Sequence, residues 1–276
     1  MKEAIYDRIS VRTYVKKPLL KMETEALQKL IDEMKNLTGP FGHKVRYFVD
    51  HQQKNLDDEA KRIGTYGFIK NAPSFVGAVV KNEFTGMIDF GYLFEHFILL
   101  LTKRGYGTCW LAGTFDRSAF DHYVNEGEVI PAITPMGIPE DHMSLRERAI
   151  RLAIKANRRK SFEEMFFISD IKHPLTEGKK HPIEDALKLV QLAPSASNKQ
   201  PWRMIVDEQN VHVYLERTPN YGTGKSFVMQ ALDIGIAMKH FEVGLQSLNI
   251  HYHLIQKPYQ APSTFEYIIT YQLDMK

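Results

Sequence analysis

The chain is short of several things, and each shortage excludes something. It has one cysteine, Cys109, in 276 residues, which rules out an internal disulfide and any metal cluster built from cysteine alone. Little charge is left over: 36 Lys+Arg against 33 Asp+Glu give +3, too small to imply a nucleic-acid partner by itself. No long apolar run is free of ionisable groups. The most apolar stretch, Phe84 to Arg104, contains Asp89, Glu95 and His96, and a bilayer span of about 20 residues tolerates such groups poorly. It reads instead as a buried helix, apolar nearly all round. Residues 1–18 carry charges throughout and lack the apolar core of a secretory signal, so a cytoplasmic protein without a membrane partner is expected. Low-complexity tracts and Pro/Ser linkers are missing too. What remains, 43% hydrophobic and 25% charged, is the composition of a soluble globular protein. A prior of about 150 residues per domain gives one large or two small domains.

Periodicity supplies the elements. Leu27, Leu30, Ile31 and Met34 recur at helical spacing within Met22–Lys35. The Gly/Pro-rich loop NLTGPFG follows, then strands near Val45–Asp50 and Ser74–Val80, then the long helix Phe84–Arg104, stopped by Gly105 and Gly107. TCWLAGTFD predicts a short strand entering a turn, with a modest helix from Asp116. Ala132–Pro139 reads as a strand, and Ser144-Leu-Arg-Glu147 has capping-box spacing for a helix toward Asn157. Beyond Lys160 come a helix over Ile183–Leu192, the polar loop APSASNKQP, and strands at Arg203–Asp207 and Val211–Leu215. A long helix, Ser226–Leu248, precedes strands near His251–Lys257 and Tyr267–Leu273.

The two halves rhyme. Asp89-Phe-Gly-Tyr-Leu-Phe-Glu-His96-Phe97 can be laid on Asp233-Ile-Gly-Ile-Ala-Met-Lys-His240-Phe241. Asp, Gly, His and Phe coincide at one offset, inside two long helices. Arg46-Tyr-Phe-Val-Asp50 matches Arg203-Met-Ile-Val-Asp207 in the same way. Chance similarity of two apolar helices is the alternative; the shared order of helix, loop, strand and long helix favours duplication. With no linker between them, the halves 1–160 and 161–276 are expected to intertwine as one compact unit.

Four motifs could carry chemistry. Arg8-Ile9-Ser10-Val11-Arg12 places two guanidinium groups around a hydroxyl, a donor set suited to phosphate; taken alone it equally describes an exposed basic start. Ala193-Pro194-Ser195-Ala196-Ser197-Asn198-Lys199-Gln200-Pro201-Trp202-Arg203 combines small residues, hydroxyls and amides on a loop stiffened by two prolines. Such a loop can lie against a flat heterocycle and bond its polar edge. In Leu111-Ala112-Gly113-Thr114, small residues let backbone N–H groups approach a ligand. Arg146, Arg148, Arg151, Lys155, Arg158, Arg159 and Lys160 form a basic run that reads mostly as a solvated helix face. Its end, Arg158-Arg159-Lys160, could supply one cation to a phosphate, but aromatics for base stacking are not interleaved with it.

Together, R-x-S-x-R near the N-terminus, PSxxNxQPWR, GxGTCWLAG and a late RRK-x-x-EE resemble the nitroreductase family of FMN-dependent oxidoreductases over nearly the whole chain. The resemblance implies an α+β fold, a central mostly antiparallel sheet wrapped by helices, and an FMN held at the interface of two subunits. Here the motifs are split: the first half keeps Arg8, Ser10 and Arg12 but has NLTGPFG where the Pro-Ser loop belongs, and the second keeps Pro194–Trp202 without an R-x-S-x-R. This resembles a fused pseudo-dimer with one complete flavin site, a monomer in preference to a homodimer. By the resemblance, Arg8 and Arg12 neutralise the FMN phosphate, Ser10 adds a donor beside Ile9, and Arg158 or Arg159 approaches the phosphate or ribityl end. Pro194, Ser195 and Ala196 line the flavin, Asn198 reaches its rim, and N–H groups near Leu111–Thr114 face N5 and O4. The implied activity passes hydride from NADH or NADPH through the flavin to a small acceptor such as a nitroaromatic or quinone, with no catalytic side chain required. A flavin-binding or flavin-handling protein without turnover is the alternative.

Other motifs weigh less. Tyr221-Gly222-Thr223-Gly224-Lys225-Ser226 ends like a phosphate-binding loop, but Pro219 stands where that motif needs glycine. Gly105-Tyr-Gly107-Thr-Cys-Trp110 has tryptophan in place of the third glycine of a dinucleotide fingerprint. His251 and His253 share a strand face without a carboxylate or cysteine pattern nearby, so no metal is expected. Cys109, between Thr and Trp, reads as inert packing.

Overall fold

A computed structural model describes residues 1–51, 63, 65, 68–140, 158–178, 181–222 and 226–275. The expected helix at Ser144–Asn157, with Arg146, Arg148, Arg151 and Lys155, lies outside the described residues. In chain order the elements are α1 (Lys2–Asp7), α2 (Lys21–Met34), β1 (Arg46–His51), β2 (Ser74–Lys81), α3 (Phe84–Lys103), β3 (Gly107–Thr108), a 3-10 turn (Arg117–Tyr123), β4 (Glu128–Val129), β5 (Ile133–Gly137), α4 (Phe162–Met165), β6 (Phe166–Ile168), α5 (Glu184–Gln191), a second 3-10 turn (Ala196–Asn198), β7 (Trp202–Asp207), β8 (Asn210–Glu216), α6 (Met229–Ser247), β9 (His251–Ile255) and β10 (Phe265–Asp274).

The α+β reading holds, with the strands in two five-stranded sheets. The first runs β1-β2-β5-β3 with β4 beside β2, all antiparallel. The second runs β6-β7-β8-β10-β9, antiparallel except for the parallel pair β6–β7. Helix α3 packs on β2 and β3, α6 packs on β7 and β8, and the two helices pack on each other. This explains why both read as apolar on every side: from Met229 to Leu245 every residue of α6 is buried. By length and composition α3 could cross a membrane, yet 72% of its most apolar window is buried inside the protein.

Helix α3 ends as its glycine suggests. Gly105 adopts φ +82°, its N–H donates to the Thr102 carbonyl, and the Tyr106 N–H reaches back to Leu101, a Schellman end that only a left-handed residue completes cheaply. Gly107, expected to share that task, instead belongs to β3. The modest helix after Asp116 is a 3-10 turn whose first N–H groups the Asp116 carboxylate caps, accepting from Ser118 N at 3.0 Å.

The matched segments make matched contacts. Asp89 on α3 accepts from the N–H groups of Phe41 in the NLTGPFG loop and of His43 directly after it, both at 2.9 Å. Asp233 on α6 accepts from the N–H of Ala196 in the Pro-Ser loop at 2.8 Å. Where the helices cross, Gly91 lies against the carbonyl of Leu232 and Gly235 against that of Ile88. Each central helix therefore carries a glycine for the crossing and, two residues earlier, a carboxyl that holds a loop.

Candidate flavin site

The helices that lead into Arg8 and into the Pro-Ser loop, far apart in the sequence, pack together. Ala4 and Ile5 of α1 bury against Leu99 of α3, Leu189 of α5 and Val243 of α6, with Met1 and Leu192 alongside. Arg8 follows α1 directly, and Pro194 follows α5. Beyond Arg8 the chain runs beside β3: Ser10 bridges Thr108 in parallel, and Val11 N–H donates to the Thr108 carbonyl at 2.8 Å. The fully buried Tyr14 donates its hydroxyl to the Val11 carbonyl at 2.8 Å, which fixes the segment from within. The Arg8 side chain is 8% exposed and Arg12 is buried, whereas Ile9 points outward.

β3 leads into the turn at 111–115. Both backbone groups of Leu111 pair with Ile133, and Arg117 binds the carbonyls of Ala112, Ile130 and Pro131. The Arg117 guanidinium lies 4.6 Å from the Phe115 ring centroid and 5.4 Å from that of Phe227, so this turn touches the second half. Gly113 and Thr114 are exposed, and a Cβ on Gly113 would meet nothing within 4 Å. The turn is open for a ligand to approach its backbone.

The Pro-Ser loop is wound tightly. Ser197, Asn198 and Gln200 all take positive φ, 49°, 55° and 49°, a conformation that costs a non-glycine residue and persists where neighbours over-determine it. Those neighbours are visible. Ser195 Oγ accepts from Gln200 N–H at 2.9 Å, Gln200 Oε1 from Lys160 N–H at 2.9 Å, and Asn198 Nδ2 donates to the Arg158 carbonyl at 2.7 Å. Arg159 reaches Asn198 Oδ1 and the Leu192 carbonyl, each at 3.3 Å. The RRK segment and the Pro-Ser loop thus form one unit, with the Asn198 amide turned onto Arg158 and Arg159. Arg158 itself is exposed. Tyr221 caps the loop, its hydroxyl 3.0 Å from Ser197 Oγ.

Beneath the loop, Asp233 is 2% exposed; burial raises its carboxyl to about 8, offset only in part by the Ala196 N–H. Asp89 accepts from two backbone N–H groups and rises only to about 6. An unfolded Asp233 loses its proton near its ordinary 3.8, whereas the folded one keeps it to about 8. Between those limits the folded state holds more protons, so this group's contribution to stability falls as pH rises. Asp233→Asn keeps the acceptor and cannot ionise. Its Tm relative to the parent protein is expected to climb from pH 5 to pH 9, by on the order of a few kcal/mol in stability; a pH-independent gap in thermal melts would refute this.

Arg8 tests whether a phosphate fits. Its Nη1 is buried with no hydrogen-bond partner among the described residues. An orphaned guanidinium N–H is costly, and an anion satisfies it. The sequence reading missed the groups behind Arg8: Glu95, His240 and Trp110. Glu95 Oε2 accepts from Trp110 Nε1 at 2.8 Å, and Glu95 Oε1 lies 2.9 Å from His240 Nε2. On the matched positions of the other helix the charges differ. Lys239 stands where Glu95 would, buried, 3.2 Å from Glu242 and 3.8 Å from the Tyr92 ring centroid, and pushed down by burial to about 7. His96, matched to His240, is pushed to about 4 by burial and by Lys239. Of the two matched positions, only Glu95 on α3 faces an arginine among the described residues.

Of the remaining candidates, Cys109 is buried, and His251 and His253 are exposed.

Two sheets around a crossed pair of buried helices define a nitroreductase-like α+β protein. The family model described as "Putative TM nitroreductase" matches residues 1–245, and the chain belongs to that family of oxidoreductases. Among solved structures it is similar to a "putative nitroreductase" from Thermotoga maritima, with TM-score 0.61 and 18% identity over 99% of this chain and 94% of that one. A nitroreductase family protein from Clostridium novyi aligns at TM-score 0.41 and 23% identity, over 50% of this chain and 84% of that one. An FMN-dependent nitroreductase from Clostridium difficile aligns at TM-score 0.40 and 15% identity, over 52% and 90%. No match was found among the curated proteins.

Proposed function

We propose that the chain is a flavin oxidoreductase holding one FMN between its two halves, 1–160 and 161–276, which are repeats of one unit. The carrying observation is Arg8 Nη1, buried without a hydrogen-bond partner among the described residues where α1 meets α5. Arg8 and Arg12 bind the phosphate with Ser10; Arg159, at the end of the first half and bonded to Asn198 of the Pro-Ser loop, approaches it; and Pro194, Ser195 and Ala196 line the ring. The exposed turn at Ala112–Thr114 presents N–H groups to the flavin edge, where they stabilise negative charge. FMN, when bound, takes hydride from NADH or NADPH and delivers it to a small acceptor such as a nitroaromatic or quinone. The protein's part is to bind, orient and tune. Repetition is supported by the reciprocal contacts Gly91–Leu232 and Gly235–Ile88 and by the two loop-holding carboxyls. A site completed within one chain needs no second subunit and suits a cytoplasmic monomer.

Flavin-to-protein stoichiometry is the test. One FMN per chain is expected, bleached by NADH or NADPH and restored by a quinone. A protein that binds no FMN overturns the reading. Two flavins per chain overturn the single site, and bound flavin that neither nucleotide reduces identifies a flavin-handling protein.

A further inference from the structure

Arg8 is held by a relay that crosses from one half of the chain to the other. Glu95 lies in the middle of α3, fully buried. Its Oε1 is 3.9 Å from Arg8 Nε and 2.9 Å from His240 Nε2, and its Oε2 takes the Trp110 indole N–H. His240, fully buried on α6, has its other nitrogen 2.9 Å from the Leu189 carbonyl oxygen. With Glu95 ionised, both ring nitrogens face atoms that can only accept, so the ring carries two protons. Arg8, Glu95 and His240 then sum to one positive charge.

A buried carboxylate needs such partners, yet the arrangement does more than satisfy it. Glu95 engages the Nε edge of Arg8 and leaves Nη1 over, buried and without a hydrogen-bond partner among the described residues. We propose that Glu95, clamped between His240 and Trp110, is a positioning residue that sets the Arg8 guanidinium to receive a phosphate monoester. The proposal rests on the flavin reading above, but the positioning role can fail while that reading stands. Because the clamp includes His240, the phosphate site is complete only when α6 of the second half is seated on α3.

Glu95→Gln tests this. Glutamine still accepts from Trp110 and can donate to a neutral His240, which keeps its proton toward Leu189, so the summed charge stays at one positive. What is lost is the ion pair that aims Arg8. FMN and riboflavin, which differ only by the phosphate, are the probes, with affinities read from quenching of flavin fluorescence. Wild-type protein is expected to prefer FMN, and Glu95→Gln to lower that preference by about tenfold or more with riboflavin affinity held. A carboxylate that only fastened α3 to α6 would change both affinities together. His240→Gln leaves Arg8 and Glu95 cancelling each other and is expected to lower the same preference, which provides the reading should Glu95→Gln not fold. A wild-type preference for FMN that survives in the folded variants overturns the positioning role alone. Wild-type protein that fails to bind FMN, or does not distinguish it from riboflavin, overturns the phosphate assignment and this role with it.

Discussion

Arg8→Ala combined with Arg12→Ala is expected to weaken FMN binding by about two to four orders of magnitude. Each charge-assisted hydrogen bond in a desolvated site is worth roughly 1.5–3 kcal/mol. Two such contacts sum to about 3–6 kcal/mol if they act independently, and each factor of ten corresponds to about 1.4 kcal/mol. The double variant should still fold, because Glu95 keeps His240 and Trp110 as partners and Tyr14 still bonds the Val11 carbonyl. Arg8→Lys with Arg12→Lys is the informative control. Lysine restores charge without the planar fork, so partial recovery is expected. Titration of flavin fluorescence measures all three proteins, and an unchanged affinity in the alanine pair would remove the arginines from the site.

The candidate site is legible in the sequence as two strings, whose meeting only the family resemblance implies. Arg8–Arg12 and Pro194–Asn198 advertise themselves by composition: paired guanidiniums around a hydroxyl, then hydroxyls and amides between prolines. Glu95 and His240 are equally visible, each inside an apolar helix, but in the sequence Glu95 serves as an argument against a bilayer span and His240 only as a matched position of the repeat. A carboxylate on a helix expected to be buried, flanked in sequence by Phe94, Phe97 and Ile98, must be paired, and that much can be asked of the sequence. The answer cannot, because the partner is 145 residues away and only the helix crossing supplies it.

The fold divides the same way. Long periodic elements lie close to expectation: α2, with Leu27, Leu30, Ile31 and Met34, is displaced by one residue, and α6, expected from Ser226, begins at Met229. Short ones escaped: α1 has six residues, β6 three and β4 two, too few to express a period. β6 is a strand because β7 lies beside it in parallel, a condition set by tertiary contact. Two sheets in place of one follow from strand order, which no local pattern encodes. The Pro-Ser loop was expected as a polar loop, yet its three left-handed residues were not, since neither serine nor glutamine signals such a backbone.

The helix crossing on which all of this depends can be tested at its glycines. A Cβ on Gly235 would stand 1.9 Å from the Ile88 carbonyl oxygen, and one on Gly91 2.1 Å from that of Leu232. The obstacle in each case is backbone, which cannot turn aside as a side chain can, so α3 and α6 must separate. Gly235→Ala is expected to destabilise the protein by about 3 kcal/mol, at the upper end of ordinary overpacking, which lowers Tm by roughly 6–12 °C in a chain of this size. Gly91→Ala should do nearly the same, and the two together should cost less than their sum, because one displacement relieves both clashes. Gly113→Ala is the control: its Cβ meets nothing within 4 Å, so its Tm should stay close to the parent's. Calorimetry decides the matter, and Tm values for Gly235→Ala and Gly91→Ala near that of the control would mean the helices do not cross at these glycines. Separation would also pull His240 from Glu95, so both variants should lose preference for FMN over riboflavin even at temperatures where they remain folded.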